Sequence, residues 1–376
     1  MIKTIFNAIF GTKYPVIQAG MGPYDTTQLA SAVSKAGALG LISTVGMGSF
    51  TLPGIGEYSY STIFERGTPE ELLTNSIDKV LKNTVNVPEA RFGVNIPVSK
   101  EFIPTATRLI RCLINRVQTD VECRKKLKAV VTSAGDPLPW SISPGTKILP
   151  QSISIKNELP EITWCHVVPS IRGAKRCEQA DVDVIIASGR EGGAHCSWRD
   201  TSSMILIPEV VKTVKKPVVA AGGFADGNTL SAALALGAIG IQMGTRFIAT
   251  EESEFDPLWK QLLVSSTEED TLVARGFFGP MRFIRNTRAL ELVDATLRGS
   301  PELYKGNPTG STQEIIDLEI TGLENLDKGD IDSTSVLGGI VAGRIHDIPS
   351  VQKLLDSIIS EAEQTINNLG NYIVKP

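Results

Sequence analysis

The sequence predicts an α/β protein, a (β/α)8 TIM barrel with a smaller, mostly helical C-terminal cap region. Three observations support this fold class. The chain has 376 residues, a length that suits one elaborated barrel. Its 42% hydrophobic and 21% charged residues are typical of a globular protein in water. Eight short apolar runs alternate with helical patterns over roughly the first 250 residues.

The apolar runs predict the strands of the barrel. They are uniformly apolar rather than alternating, which is typical of strands that are buried on both faces. They comprise residues 16–20, 39–44, 92–97, 128–134, 162–168, 182–188, 217–222 and 240–247. A doubly wound open sheet is the alternative architecture, because the number of strands does not show whether the sheet closes.

The segments between these runs predict helices that cross from one parallel strand to the next. Their apolar residues have helical spacing, and several segments begin with Ser, Thr or Pro. They comprise residues 27–35, 69–82, 102–117, 170–179, 205–214 and 229–236. Two longer connections, residues 47–67 and 136–160, are typical of functional or disordered loops.

The alternation stops at about residue 250, and this change predicts three parts of the chain. Residues 1–250 form the ligand-binding barrel, and residues 251–347 form a cap or substrate lobe. Residues 348–376 contain a C-terminal helix that packs back on the barrel through one apolar face.

Charge and cysteine content exclude several classes of function. With 37 basic and 41 acidic side chains and no long run of either sign, the chain lacks the basic patch expected for nucleic acid or an anionic membrane. The five cysteines include no C-x-x-C pair, so neither a disulfide framework nor a metal site is expected. No secretory leader or long apolar run is evident. We expect a cytoplasmic protein that acts on a small molecule, with a homodimer left open.

Two glycine-rich turns at predicted strand ends indicate a phosphate site. Gly222 and Gly223 end the seventh run, and Gly244 and Thr245 lie within the eighth. Active sites of (β/α)8 barrels lie at the carboxyl ends of the strands, and the turns after strands 7 and 8 frequently bind phosphate. Glycine allows backbone N–H groups to approach such a ligand closely. Tight turns without a ligand are the alternative interpretation.

His195 is the candidate for proton transfer. It follows the sixth run in a glycine-rich loop, and a neutral imidazole can serve as a general base or acid near pH 7. A structural role is the alternative for a lone histidine. His166 lies inside a predicted strand and is interpreted as a core residue, and His346 as a surface residue. Cys196 has no evident orienting acid, so we do not predict a catalytic cysteine.

Other polar residues permit two interpretations each. Gln18, Met21 and Asn95 lie at strand ends, where they would either contact a ring-shaped ligand or serve as packing and hydrogen-bonding residues. A basic run could bind an anionic substrate tail or be solvated. It contains Arg275, Arg282, Arg285 and Arg288.

Several motifs occur in an order that we recognise: PVIQAGMG, FGVNIPV, GREGGAH, PVVAAGGFADG, ALALGAIGIQMGTRFIATEES and RGFFGPMRFIRN. Over about residues 10–290 the chain resembles the nitronate monooxygenase (2-nitropropane dioxygenase-like) family of FMN-dependent (β/α)8 enzymes. The stretch GDIDSTSVLGGIVAGRIHDIPSV is similar to that family and to its enoyl-ACP reductase relatives.

The resemblance implies a non-covalent FMN at the mouth of the barrel. The residues implied for its phosphate are Gly222, Gly223, Gly244 and Thr245, and those implied for its ring are Ala19, Gly20, Met21 and Asn95. We also assign Gly189, which begins the loop before His195, to the cofactor site. His195 closes the motif that the family writes E-A-G-G-H and is the implied catalytic residue, although Ala194 replaces a glycine.

The implied function is oxidation of an alkyl nitronate or a similar stabilised carbanion by O2, with His195 accepting or holding the proton. An NAD(P)H-dependent reductase of an enoyl thioester is the alternative on the same scaffold, with NAD(P)H as electron donor. A flavin-free barrel that binds a sugar phosphate or nucleotide on the same glycine turns is a third hypothesis.

Overall fold

The computed structural model describes residues 2–47, 49–52, 56–59, 67–141, 153–300, 302 and 310–372. In chain order the helices and strands are α1 Ile5–Phe10, β1 Val16–Gln18, α2 Thr27–Lys35, β2 Leu39–Ser43, β3 Ser49–Leu52, β4 Gly56–Ser59, α3 Pro69–Asn83, β5 Arg91–Pro97, α4 Ile103–Thr119, α5 Val121–Lys126, β6 Leu127–Ser133, α6 Ile155–Glu158, β7 Thr163–Val168, α7 Ile171–Gln179, β8 Val184–Ser188, β9 Ala194–His195, α8 Ser203–Thr213, β10 Val218–Ala221, α9 Gly227–Ala235, β11 Ile241–Met243, α10 Thr245–Ile248, α11 Pro257–Ser265, β12 Thr271–Arg275, β13 Pro280–Ile284, α12 Thr287–Gly299, α13 Gln313–Glu324 and α14 Val351–Leu369.

Eight parallel strands close into a barrel, which confirms the predicted fold class. Their order around the barrel is β1, β11, β10, β8, β7, β6, β5 and β2. Strand β1 closes the ring because it pairs with β11 on one side and with β2 on the other. Closure excludes the doubly wound open sheet. Each of the eight predicted runs overlaps one of these strands, and β5 and β6 begin one residue before their runs.

The apolar runs arise because each strand packs against a different layer on each face. Ile17 points into the barrel, where it joins Leu39 and Val131 in an inner cluster. Val16 belongs to the outer cluster that lies between the strands and the surrounding helices. Successive residues of a strand point to opposite faces, so burial of both faces keeps most positions of the run apolar.

The N-terminal helix α1 closes the bottom of the barrel and was not predicted. Thr4 caps it, since the Thr4 side chain accepts a hydrogen bond from the Phe6 backbone and Asn7 completes a capping box. Phe6 and Phe10 are fully buried in the inner cluster, with their ring centroids 4.6 Å apart. With six residues the helix is too short for a clear periodic signal.

We expect Phe10→Ala to destabilise the protein, because it would leave a cavity at the base of the barrel. Truncation of a buried aromatic residue costs roughly 3–5 kcal/mol. Ile5 begins the same helix but is 56% exposed, so Ile5→Ala should change stability by less than about 0.5 kcal/mol. Urea denaturation of both variants measures the difference, and equal losses would contradict this account of α1.

The predicted crossover helices are confirmed, with small shifts at their ends. The C-terminal helix α14 packs on the barrel through its apolar face. Val351, Leu355 and Ile358 of α14 are buried in the outer cluster. Glu361 accepts a hydrogen bond from the backbone N–H of Gly227, at 2.7 Å, and so ties α14 to the start of α9. The boundaries of the three predicted parts, at residues 250 and 347, stay a prediction.

Strands β12 and β13 form an antiparallel hairpin that the sequence analysis did not predict. Strand β13 also pairs with β9, so a three-stranded sheet joins the cap to the loop that carries His195. Two arginines of this region, Arg282 and Arg288, are held by the protein, whereas Arg285 is exposed to solvent. Arg282 donates to the Arg190 carbonyl oxygen at 3.1 Å, and Arg288 donates to the Ser333 carbonyl oxygen at 3.1 Å.

The two long loops are only partly described. Within residues 47–67, β3 and β4 form a two-stranded hairpin. Within residues 136–160, a 3-10 turn over Leu138–Trp140 and the short helix α6 are seen, and residues 142–152 lie outside the described residues. In the part of the chain that the structure covers, no helix is long and apolar enough to cross a membrane.

Candidate active site

One cavity of about 620 Å³ lies at the carboxyl ends of the barrel strands, between the barrel and the cap. All ten residues that the sequence analysis selected line it: Ala19, Gly20, Met21, Asn95, Gly189, His195, Gly222, Gly223, Gly244 and Thr245. The fold therefore brings them together. Their roles in cofactor binding and catalysis stay predictions.

The turn after β10 needs glycine at two successive positions. Gly222 and Gly223 have φ values of 83° and 88°, a region that residues with a side chain rarely adopt. A Cβ atom on Gly222 would lie 2.5 Å from the Gly189 carbonyl oxygen, and one on Gly223 would lie 3.1 Å from the Glu191 Cβ. The turn is therefore packed against the loop that carries His195, and its main chain faces the cavity.

Glu191 holds this loop in place, a role that the sequence analysis missed. Its carboxylate accepts hydrogen bonds from the Ser203 backbone N–H at 2.9 Å and from the Ser203 hydroxyl at 3.0 Å. The backbone N–H of Ile340 donates to the Glu191 carbonyl oxygen at 3.0 Å. One side chain thus links the loop to the start of α8, where a carboxylate is favoured by the free N–H groups and the helix dipole. The glutamate was visible in the motif, but its partners are distant in sequence.

The end of β11 supplies the second glycine turn. The Thr245 hydroxyl accepts a hydrogen bond from the Gly339 backbone N–H at 3.0 Å, which fixes this turn against the cap. Gly244 lies close to Met21, since a Cβ atom added there would be 3.4 Å from the Met21 sulfur. Gln242 also lines the cavity, and its Oε1 atom is buried without a hydrogen-bond partner among the described residues. A buried acceptor of this kind is costly unless a ligand satisfies it.

Asn95 and Gly20 bring the ends of β5 and β1 together. The Asn95 side chain is 5% exposed and donates from Nδ2 to the Val131 carbonyl oxygen at 3.1 Å, while its Oδ1 accepts no hydrogen bond from a described residue. A side chain on Gly20 would collide with Asn95. Gln18, in contrast, is fully buried and accepts from the Leu41 backbone N–H at 2.9 Å, so it is a structural residue.

His195 lies in β9, opposite Met281 of β13. Its ring makes no hydrogen bond to a described residue, and its centroid lies 6.2 Å from that of Phe278. The side chain keeps exposed surface where it meets the cavity, while protein atoms enclose the remainder. This enclosure disfavours the charged form and lowers the pKa of His195 to about 4. The imidazole is therefore neutral at pH 7.

The other two histidines lie where the sequence analysis predicted, His166 in the core and His346 at the surface. His166 is 1% exposed, and its two ring nitrogens lie 2.7 Å from the Thr132 hydroxyl and 3.2 Å from the Gly135 carbonyl oxygen, as for a core histidine. His346 is exposed. Burial raises the pKa of the Cys196 thiol, which makes it a poor nucleophile. Among the residues that the structure describes, no cluster of metal-ligating side chains occurs.

The cap contributes a mostly apolar wall and one carboxyl group. The apolar residues of this wall are Phe278, Met281, Phe283, Leu323, Leu337 and Val341. Glu319 of α13 lies among them, 5% exposed, and accepts a hydrogen bond from the Phe277 backbone N–H. Burial raises the pKa of Glu319 to about 7. The sequence analysis missed this residue, because a glutamate in an amphipathic helix normally faces water.

Comparison with known proteins places the chain in a family. Residues 3–361 match the family model described as nitronate monooxygenase. A probable nitronate monooxygenase of Staphylococcus saprophyticus is 31% identical over 76% of this chain and 79% of its own. A Rhodococcus jostii protein named (3aS,4S,5R,7aS)-5-hydroxy-7a-methyl-1-oxo-octahydro-1H-indene-4-carboxyl-CoA dehydrogenase is 25% identical over 98% of both chains.

A solved structure of FabK from Thermotoga maritima has 26% sequence identity and superimposes with a TM-score of 0.77, covering 99% of this chain and 100% of the other. The matches support an oxidoreductase on this scaffold with a flavin cofactor. The chain therefore belongs to the nitronate monooxygenase family, a family of oxidoreductases.

Proposed function

We propose that this protein is an FMN-dependent oxidoreductase that oxidises an alkyl nitronate, or a similarly stabilised carbanion, with O2. One observation carries the proposal. The Gly222–Gly223 turn and an imidazole without a hydrogen-bond partner among the described residues line the same cavity, at the end of the barrel where active sites of this fold lie.

The residues of the cavity fit FMN. Gly222, Gly223, Gly244 and Thr245 would hold the phosphate, because the glycine turns leave room for backbone N–H donors close to it. Ala19, Gly20, Met21 and Asn95 would contact the ring. The Asn95 Oδ1 and the buried Gln242 Oε1 are acceptors without a partner among the described residues, and they match the ring's N–H donor. Gly189 would support the phosphate turn, which it contacts.

His195 would accept the proton that the neutral acid form of the substrate releases when its carbanion forms, and would hold that proton beside the resulting anion. Its neutral ring has one nitrogen free to accept a proton at pH 7, and an anionic nitronate beside it would favour the protonated form. The apolar cap wall would exclude bulk water from this proton and from the substrate carbanion. Bound FMN would supply the electron transfer from substrate to O2.

An absorption spectrum of the purified protein and anaerobic mixing with propane-2-nitronate test the proposal. We expect a yellow protein whose visible flavin absorbance is bleached by the nitronate alone and returns when air is admitted. A colourless protein that fails to take up added FMN would contradict the cofactor and would favour the flavin-free hypothesis. A yellow protein that the nitronate does not bleach would contradict the substrate.

We also propose a second candidate, an NAD(P)H-dependent reductase of an enoyl thioester. The observation that favours it is the long apolar cap wall, which suits an acyl chain better than a small nitronate requires. Similarity over nearly the whole chain to a relative named as a carboxyl-CoA dehydrogenase supports a thioester substrate. Rapid anaerobic bleaching by NADPH or NADH, followed by reoxidation with crotonyl-CoA, would distinguish this reductase from the oxidase.

A further inference from the structure

Glu319 is the one acidic side chain in the wall of the cavity, among the described residues, and it has no charged partner there. The described lining contains neither lysine nor arginine, and Glu319 makes no ion pair with a described residue. Its Oε2 accepts from the Phe277 backbone N–H. Its Oε1 accepts no hydrogen bond from a described residue, although it is not sealed from solvent. A carboxyl group in this position is either protonated, and therefore neutral, or ionised at a cost to the free energy of folding.

The loop between β12 and β13 places Glu319 and His195 at the same cavity. Phe277 binds the Glu319 carboxyl through its backbone, and the next residue, Phe278, lies beside the His195 ring. A Cβ atom on Gly276 would lie 2.9 Å from the Glu319 Oε2, so this loop is packed directly on the carboxyl. The geometry therefore presents Glu319 Oε1 to a ligand on the cap side of the cavity, while His195 meets that ligand from the barrel side.

We propose that Glu319 determines substrate specificity, because its protonated carboxyl donates a hydrogen bond to an oxygen of a nitronate or carboxylate anion and its ionised form repels that anion. This inference takes one point from the proposed function, namely that the substrate binds in this cavity. It assigns an anion-selective role to a residue outside the motifs that define the family resemblance.

Among the described residues of the cavity wall, Glu319 is the side chain that titrates near neutral pH. The titratable and charged side chains on the elements packed around it include the basic residues Arg275, Arg282, Arg288, Arg298 and Lys328, the acidic residues Glu291 and Asp294, and His195 and Cys196 beside the cavity. Arg298 pairs with Glu314 and Arg288 with Glu291, while Arg275 and Arg282 donate to neutral oxygens. Desolvation by the protein atoms around the ring lowers the pKa of His195 to about 4, and burial raises that of Cys196 above its ordinary 9.

Isothermal titration with isobutyrate tests the proposal. Isobutyrate has the shape and the two oxygens of propane-2-nitronate and stays anionic from pH 6 to pH 8. With a Glu319 pKa of about 7, the protonated fraction falls about tenfold over that interval. We therefore expect the Kd of the wild-type protein for isobutyrate to rise about tenfold from pH 6 to pH 8. The neutral isobutyramide should bind with a much smaller change.

Glu319→Gln keeps the size and a hydrogen-bond donor but cannot ionise, so its Kd for isobutyrate should be the same at both pH values. Glu314→Gln is the matched control, since it removes an exposed carboxyl from the same helix and should retain the wild-type pH dependence. A pH-independent wild type, a pH-dependent Glu319→Gln variant, or no isobutyrate binding at either pH overturns the proposal. The titration requires no turnover, so its outcome is independent of whether nitronates are the true substrates.

Discussion

Gly223→Val is expected to yield protein that no longer retains FMN. The wild-type residue has a φ of 88°, and a Cβ atom there would lie 3.1 Å from the Glu191 Cβ. A β-branched side chain would therefore strain the turn and push against the residue that anchors the loop of His195. Both changes displace the backbone N–H groups that would bind the phosphate. We expect at least a hundredfold rise in the Kd for FMN, measured by quenching of flavin fluorescence.

Gly370→Val is the matched control, because nothing lies within 4 Å of a Cβ atom at that position and its φ of −59° suits any residue. It should bind FMN as the wild type does. Circular dichroism of both variants checks that the barrel still folds. A folded Gly223→Val variant with wild-type affinity for FMN would show that the turn after β10 does not hold the phosphate.

His195→Ala is expected to keep FMN and lose most turnover. The ring hydrogen-bonds to no described residue, so its removal should leave the loop in place. Loss of a positioned proton carrier lowers kcat by roughly 10²–10⁴-fold. Because desolvation by the surrounding protein atoms lowers the pKa of His195 to about 4, titration of its imidazole should leave kcat unchanged between pH 6 and pH 8. Anaerobic single-turnover measurements on the FMN-loaded variant give the rate of the chemical step directly.

His346→Ala serves as the control for removal of an imidazole, since that side chain is exposed and lines no part of the cavity. It should turn over at the wild-type rate. Normal turnover by His195→Ala with a substrate that the wild type accepts would contradict the assigned role. A colourless His195→Ala variant would instead indicate that the ring supports the cofactor.

Much of the fold could be predicted because of how a barrel strand is buried. Strands such as β6 and β8 pack against the inner core on one face and against helices on the other, so uniformly apolar runs mark them. The glycine turn after β10 was visible for a related reason, since the positive φ values of Gly222 and Gly223 leave few residue types open, and the turn after β11 was visible as a glycine, Gly244, near the end of an apolar run. The apolar runs and the glycine turns are local features, and each is encoded within a few residues of the sequence.

The cap could not be predicted in the same way. Strands β12 and β13 are five residues each; most positions of β12 are half-exposed, and Arg282 interrupts the apolar residues of β13. The sequence analysis predicted that Arg282 faces solvent or an anionic ligand. The side chain is instead 5% exposed and donates to the carbonyl oxygen of Arg190, which is 92 positions away in the chain. Glu319 was missed for the same reason, because its burial is set by the loop between β12 and β13.

The sequence by itself determined the eight strands, the two glycine turns and the candidate histidine, because each is marked by a short local stretch of sequence, whereas the closure of the eight strands into a barrel was decided by the tertiary structure. Only the tertiary structure decided that β13 lies beside β9, that Glu191 anchors the loop to α8, and that a glutamate of α13 enters the cavity. Those outcomes depend on burial and electrostatics between residues far apart in sequence, and these exist only after the chain has packed.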